Sequence, residues 1–138
     1  MKSLTVFVLV LAAFGGHAQG NLEVTITNVK DTTGTIRVGI FKDPSAFLKE
    51  AYIGKVVKAG KGEVKVIFEN VPAGKYALSV IHDENRNGEL DSNIIGIPRE
   101  GFGFGNDAMG TFGPPSFEKA GFEITHEPKK MKVTMRYL

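Results

Sequence analysis

Strict alternation of apolar and polar residues, repeated along most of the chain, limits what this sequence can fold into. Leu22, Val24 and Ile26 alternate with Glu23, Thr25 and Thr27, and Ile36, Val38 and Ile40 with Thr35, Arg37 and Gly39. Val64, Val66 and Phe68 alternate with Glu63, Lys65 and Glu69, Tyr76, Leu78 and Val80 continue the pattern, and Met131, Val133, Met135 and Tyr137 close it. A period of two sends successive side chains to opposite sides of a strand, so each segment has one face to bury and one to wet. Residues 52–57 and 117–125 are weaker strand candidates. Short Gly, Pro or polar stretches at 30–34, 59–62, 72–74 and 125–128 separate the strands. Asp43-Pro44-Ser45 reads as a turn into one helical turn through Phe47 and Leu48, and no segment sustains a helical period. About seven short strands with regular turns predict an all-β fold, an antiparallel sandwich of the prealbumin-like or immunoglobulin-like kind. The same pattern argues against doubly wound nucleotide-binding folds.

The N-terminus follows a different rule. Lys2 gives a small positive start, 4–14 is an almost unbroken apolar run, and Gly16-His17-Ala18 ends on the small residue that a signal peptidase reads. That run falls short of the roughly 20 apolar residues a transmembrane helix needs. The expectation is a signal peptide over 1–18 and a single β-sandwich domain over 19–138, with no stable membrane anchor after cleavage. The chain is expected to be secreted or periplasmic by bacterial Sec-type export. With no cysteine in 138 residues, the domain has no disulfide, thiolate nucleophile or Cys-ligated metal. An exported domain without disulfides suits a bacterial periplasm or cell exterior, and its stability must come from a core. Seventeen Lys and Arg against 15 Asp and Glu, with no basic block, argue against nucleic acid as a partner.

Residues 83–116 break the alternation for 34 residues, rich in Gly, Asn and Pro yet carrying Leu90, Ile94, Ile95, Ile97, Phe102, Phe104, Met109 and Phe112. Loops this long inside compact domains usually serve a function, and functional residues concentrate on loops held by rigid scaffolds. Its first part, Asp83-Glu84-Asn85-Arg86-Asn87-Gly88-Glu89-Leu90-Asp91, sets oxygen-bearing side chains at relative positions 1, 3, 5 and 9 with Gly at 6. Alternate oxygens turned inward around a sharp Gly turn suit a hard cation. Asp83, Asn85 and Asn87 would give side-chain oxygens, Glu89 its carbonyl, and Asp91 a direct or water-mediated oxygen to calcium. Ile94 stands at position 12, where an EF-hand needs a bidentate Glu, so that motif is excluded. Asn93, Glu100 or Asp107 is left to complete the sphere, and two certain carboxylates imply weak binding, about millimolar. The alternative is a set of Asx-turns in which the same side chains bond their own backbone.

Other constellations carry less. Gly101-Phe102-Gly103-Phe104-Gly105 lacks the spacing of a dinucleotide loop. Its glycines are expected to allow close backbone approach while Phe102 and Phe104 pack onto the sandwich end, or, with Glu100, line a ligand surface for a glycan or peptide. No nucleophile-elbow pattern surrounds Ser79 or Ser116, so His82 and His126 are not read as parts of an acyl-transfer site. His82 stands next to Asp83, where it could orient that ligand.

Phe68-Glu69-Asn70-Val71-Pro72-Ala73-Gly74-Lys75-Tyr76-Ala77-Leu78 resembles the Pro-x-Gly-x-Tyr turn and strand of prealbumin-like sandwiches, including bacterial surface repeats and carboxypeptidase regulatory-like domains. With His82-Asp83-Glu84-Asn85-x-Asn87-Gly88-x-Leu90-Asp91, Gly96-Ile97-Pro98-x-Glu100-Gly101-Phe102-Gly103-Phe104 and Gly113-Pro114-Pro115-Ser116-Phe117-Glu118-x-Ala120, the whole mature chain resembles the bacterial domain of unknown function family 2141. The resemblance implies an exported protein of about this size and supplies no activity. Gly105 stands where a Ser is expected in that pattern.

These features predict an exported, non-enzymatic binding or structural domain whose 83–116 loop forms a surface for a small ligand, a glycan or an envelope protein, stabilised by weak calcium binding. The alternatives are a periplasmic hydrolase using Asp83, Asp91 and Glu100 as acid and base groups, and a purely structural envelope protein.

Overall fold

A computed structural model describes residues 18–138. The expected leader thus lies outside the described residues except for Ala18. Eight strands follow in order: β1 (Gln19–Val29), β2 (Thr35–Phe41), β3 (Ile53–Lys58), β4 (Gly62–Pro72), β5 (Gly74–Asp83), β6 (Gly101–Phe104), β7 (Gly121–Ile124) and β8 (Lys129–Thr134). One sheet has the order β4-β1-β8 and the other β3-β2-β5-β6, with β7 also paired to β5. The alternating segments form strands, the last of which ends at Thr134, before Met135 and Tyr137; of the two weak candidates, one overlaps β3, which runs one residue further, and the other contains β7. The eighth strand is β6, inside the segment that shows no alternation. Among the described residues no helix is long and apolar enough to cross a membrane.

The two sheets bury the apolar faces that the alternation defines. Leu22, Val24 and Ile26 of β1 meet Ile36, Val38 and Ile40 of β2 and Tyr76, Leu78 and Val80 of β5, all nearly inaccessible to solvent. Burying one such side chain stabilises the fold by about 1.5–3 kcal/mol, so this cluster is the main source of stability. The pairing is antiparallel except at one place, where β8 runs parallel to β1 from Leu22↔Lys129 to Thr27↔Thr134. A parallel neighbour needs a long return path, and the second sheet supplies it.

Strand β5 positions the long loop. On one side it pairs with β2, Thr35↔Asp83 through Phe41↔Ala77. Its other side is shared end to end by β6, opposite Ser79–His82, and β7, opposite Gly74–Ala77. The two short strands form one interrupted line with residues 105–120 as an excursion between them. Asn106 closes the excursion, donating through Nδ2 to the carbonyls of Lys119 and Gly121 at 3.0 and 2.8 Å. The glycines of β6 explain why it lacks an alternating pattern. A Cβ on Gly101 would stand 2.4 Å from the Tyr137 ring, and one on Gly103 would stand 2.5 Å from Val133. On this side β6 presents bare backbone to the C-terminal segment, and on the other it presents Phe102 and Phe104.

Candidate functional site

Because Leu78 and Val80 face the core, alternation along β5 turns His82 to the core and Asp83 to the outer face. Asp83 is fully buried there. Its Oδ1 accepts the Asn87 N–H at 3.2 Å and its Oδ2 the Gly88 N–H at 2.8 Å, so the carboxylate is the hub of the turn. Gly88 has φ +83°, and a Cβ there would come within 3.9 Å of the Arg37 guanidinium, over which the turn is laid. Gly34, φ +70°, lets the 30–34 turn press against the Asp83 carbonyl, where a Cβ would meet oxygen at 2.1 Å.

A second buried carboxylate closes the loop from its far end. Glu100 precedes β6, and its Oε2 accepts the Glu84 N–H at 2.6 Å while Oε1 accepts the Asp91 N–H at 3.0 Å. The Arg99 N–H donates to the Asp91 carbonyl at 2.7 Å. Glu100 does fold back, but onto backbone N–H groups. Of the other two candidates, Asn93 Oδ1 accepts the N–H groups of Ile95 and Ile97, both at 3.0 Å, and Asp107 Oδ1 accepts the Thr134 N–H at 2.8 Å. Asn93 thus closes its own local turn, and Asp107 ties the 105–120 excursion to β8.

Between these hubs the polar side chains face one another. Asn85 and Asn87 both donate through Nδ2 to Asp91, Asn87 at 2.7 Å. The Asn87 amide, aided by Asn85, holds the Asp91 carboxyl below its ordinary 3.8. Asn85 Oδ1 accepts the Asn87 N–H at 3.2 Å and Asn87 Oδ1 the Glu89 N–H at 3.0 Å, which are Asx-turns. A depression of about 470 Å³ opens beside them, lined by Glu84, Asn85, Asp91, Ser92, Arg99 and Glu100. Asp83, Asn85, Asn87 and Asp91 thus occupy one hydrogen-bonded turn, while Glu89 enters it through its backbone.

His82 does not touch the Asp83 carboxylate. Its Nε2 lies 2.7 Å from the Thr33 carbonyl, which can only accept, so Nε2 carries the proton. Nδ1 lies 2.7 Å from the Tyr137 hydroxyl, whose oxygen also accepts the Lys30 N–H at 3.0 Å. Tyr137 therefore donates to Nδ1, and burial raises its phenol above the ordinary 10.0. Asp31, His82 and Glu84 offer ligand atoms within 4.8 Å of one another, yet both imidazole nitrogens are already engaged. Ser79 lies on the opposite face of β5 from His82, so the two form no nucleophile–base pair. Sequence reasoning missed Tyr137, Gly34 and Arg37, which reach this end from other strands and turns without any local motif.

The outer face of β5 has its own apolar cluster, Ala77, Phe102, Phe104 and Ala120, with Phe47, Leu90, Met109 and Phe117 packed against it. Phe47 meets Phe41 and Phe117 edge-on at 5.3 and 5.9 Å. Glu100, Phe102 and Phe104 are only 4, 5 and 7% exposed, so they form the floor beneath the long segment and not its surface. Its surface carries Ile94, Ile95 and Phe112, at 101, 75 and 101% exposure.

The family model described as "Uncharacterized protein conserved in bacteria (DUF2141)" matches residues 24–132, which includes every strand except parts of β1 and β8. No curated protein and no solved structure matches the chain.

Proposed function

Starting from a chain that belongs to this uncharacterized bacterial family, we propose that it is an exported, non-enzymatic binding domain whose 83–116 segment is a docking surface for an envelope component. One observation carries this reading: Ile94, Ile95 and Phe112 stand free in solvent on a segment anchored by Asp83, Glu100 and the Phe102–Phe104 floor. Apolar side chains held out by a rigid frame are typical of interaction sites. The chemistry of the carboxylates supports a non-enzymatic role. Asp83 and Glu100 are buried and each accepts two backbone N–H groups, one on each oxygen, so both carboxylates serve to hold the turn together. The test is site-specific photocrosslinking in the bacterium, with the photoreactive residue at 95, at 112 or, as control, at the exposed Ile67 of β4. A shared adduct from 95 and 112 that is missing from 67 is expected. Equal labelling at all three positions would remove the docking surface. N-terminal sequencing of the exported chain, expected to begin at Gln19, tests export separately.

Calcium is a second reading, favoured by the meeting of Asn85, Asn87 and Asp91 side chains in one turn with Asp83. Amide oxygens have two lone pairs, so Asn85 and Asn87 can keep their backbone N–H groups and still face a cation. A cation that binds only the folded chain, at ten times its dissociation constant, stabilises it by about 1.4 kcal/mol. Thermal melts with millimolar calcium are expected to rise for the native chain and not for Asp91→Ala. An unchanged melting temperature in both leaves only the Asx-turn role.

A further inference from the structure

The chain contains one Asn-Gly dipeptide, Asn87-Gly88, and it lies exposed in the centre of the Asp83 turn. This dipeptide has a reactivity of its own, because glycine offers no side chain to hinder its backbone nitrogen from attacking the preceding Asn amide. We propose that Asn87 is a latent self-modification site that Asp83 holds shut, and that opening this turn converts Asn87 irreversibly to aspartate or isoaspartate.

The step needs only water. The Gly88 nitrogen, having given up its proton to solvent, bonds to Asn87 Cγ. The Cγ–Nδ2 bond breaks, and Nδ2 leaves as ammonia after taking up a proton. The resulting succinimide is opened by water at either carbonyl, which leaves a normal aspartyl link or one rerouted through the side chain. No oxidation or reduction occurs.

Three hydrogen bonds oppose this in the folded turn. The Gly88 N–H is donated to Asp83 Oδ2 at 2.8 Å, which directs the nucleophile's lone-pair position away from Cγ and disfavours loss of its proton beside a carboxylate. Asn87 Oδ1 accepts the Glu89 N–H at 3.0 Å and Asn87 Nδ2 donates to Asp91 Oδ1 at 2.7 Å, so the amide is clamped from both ends. Asp83 is fully buried, so water does not compete for Oδ2. Conversion would replace the Asn87 donor with a carboxylate facing Asp91. One hydrogen bond becomes a like-charge contact, and the turn gains a further acidic group beside Asp91. The inference rests on these hydrogen bonds alone and stands whether or not the turn takes a cation.

The experiment is incubation of the purified folded chain at mildly alkaline pH, followed by peptide mass spectrometry for the NH2-to-OH mass change at Asn87 and chromatographic separation of the isoaspartyl form. Native chain is compared with Asp83→Asn, with Glu100→Gln, which loosens the turn without touching the Gly88 N–H, and with native chain unfolded in urea. Conversion at Asn87 is expected to be about tenfold or more faster in Asp83→Asn and in urea than in the folded native chain, with Glu100→Gln near native. If Asp83→Asn does not fold, the native-against-urea comparison decides alone. Equal rates in the folded and urea-unfolded native chain overturn the lock. Equal acceleration by Asp83→Asn and Glu100→Gln overturns its assignment to Asp83.

Discussion

The two faces of β5 are buried by different means. Toward the core, Tyr76, Leu78 and Val80 meet a second sheet whose alternating residues supply an apolar partner at every position. Toward the outside, Ala77, Ser79 and Asp83 are covered by irregular chain, which has N–H groups left over because no ladder takes them. The outer cover therefore combines a small aromatic floor with two buried carboxylates that collect four of those N–H groups. A sheet-covered face gets its cohesion from area, whereas a loop-covered face gets it from directed hydrogen bonds. The second arrangement leaves the apolar tips Ile94, Ile95 and Phe112 free for contact.

This contrast can be broken most severely from the core side. Leu78→Ala should cost about 2–5 kcal/mol in denaturant unfolding, by lost burial plus the cavity left behind. The loss should appear globally, in amide exchange throughout both sheets. Asp83→Ala comes next, at about 2–3 kcal/mol, since it leaves the Asn87 and Gly88 N–H groups without their charged acceptor. Its signature is local, with exchange accelerating over 84–91 before the sheets respond; a uniform response would place the turn inside the cooperative core. Gly101→Ala should cost about 1–3 kcal/mol because the added methyl meets the Tyr137 ring. It should also weaken the Tyr137 contact with His82, visible in the imidazole resonances.

Proton linkage separates the two regions more gently. Asp91 has a lowered pKa in the folded chain, so its contribution is present above the unfolded value of about 4 and is lost as pH falls through the folded one. Tyr137 is raised, so its contribution is full below about 10 and is lost as pH rises through the higher folded value. Asn87→Ala should shrink the acid-side loss and Tyr137→Phe the alkaline one, each read from stability against pH. The smallest effect belongs to the tips. Ile94→Ser with Phe112→Ser should leave stability within about 0.5 kcal/mol, so a larger drop would show that these side chains pack somewhere.

Much of this arrangement is legible in the sequence, for reasons that differ by region. The alternation over 22–27, 35–40, 63–69, 76–80 and 130–137 identifies strands and their inner faces, because which face a side chain takes depends only on its neighbours along the chain. The spacing from Asp83 to Asp91 likewise marks a tight polar turn, since Asx-turns close within a few residues. β6 escapes notice because Gly101 and Gly103 are small for a distant reason, the Tyr137 ring and Val133 lying against them. Glu100 is one of three side chains, with Asn93 and Asp107, that the spacing leaves open for closing the turn, and its targets, the N–H groups of Glu84 and Asp91, depend on how the loop closes.

The sequence by itself determines an all-β chain, its buried faces and a polar turn after β5, because each of these follows from local spacing and side-chain chemistry. The tertiary structure alone decides that β8 lies parallel to β1, that β6 and β7 share one edge of β5, and that His82 ends between Thr33 and Tyr137. It also decides that Phe102 and Phe104 are floor while Ile94 and Phe112 are surface. Strand partners, and the face a long loop turns to solvent, are set by contacts between residues far apart in the chain, and no local pattern records them.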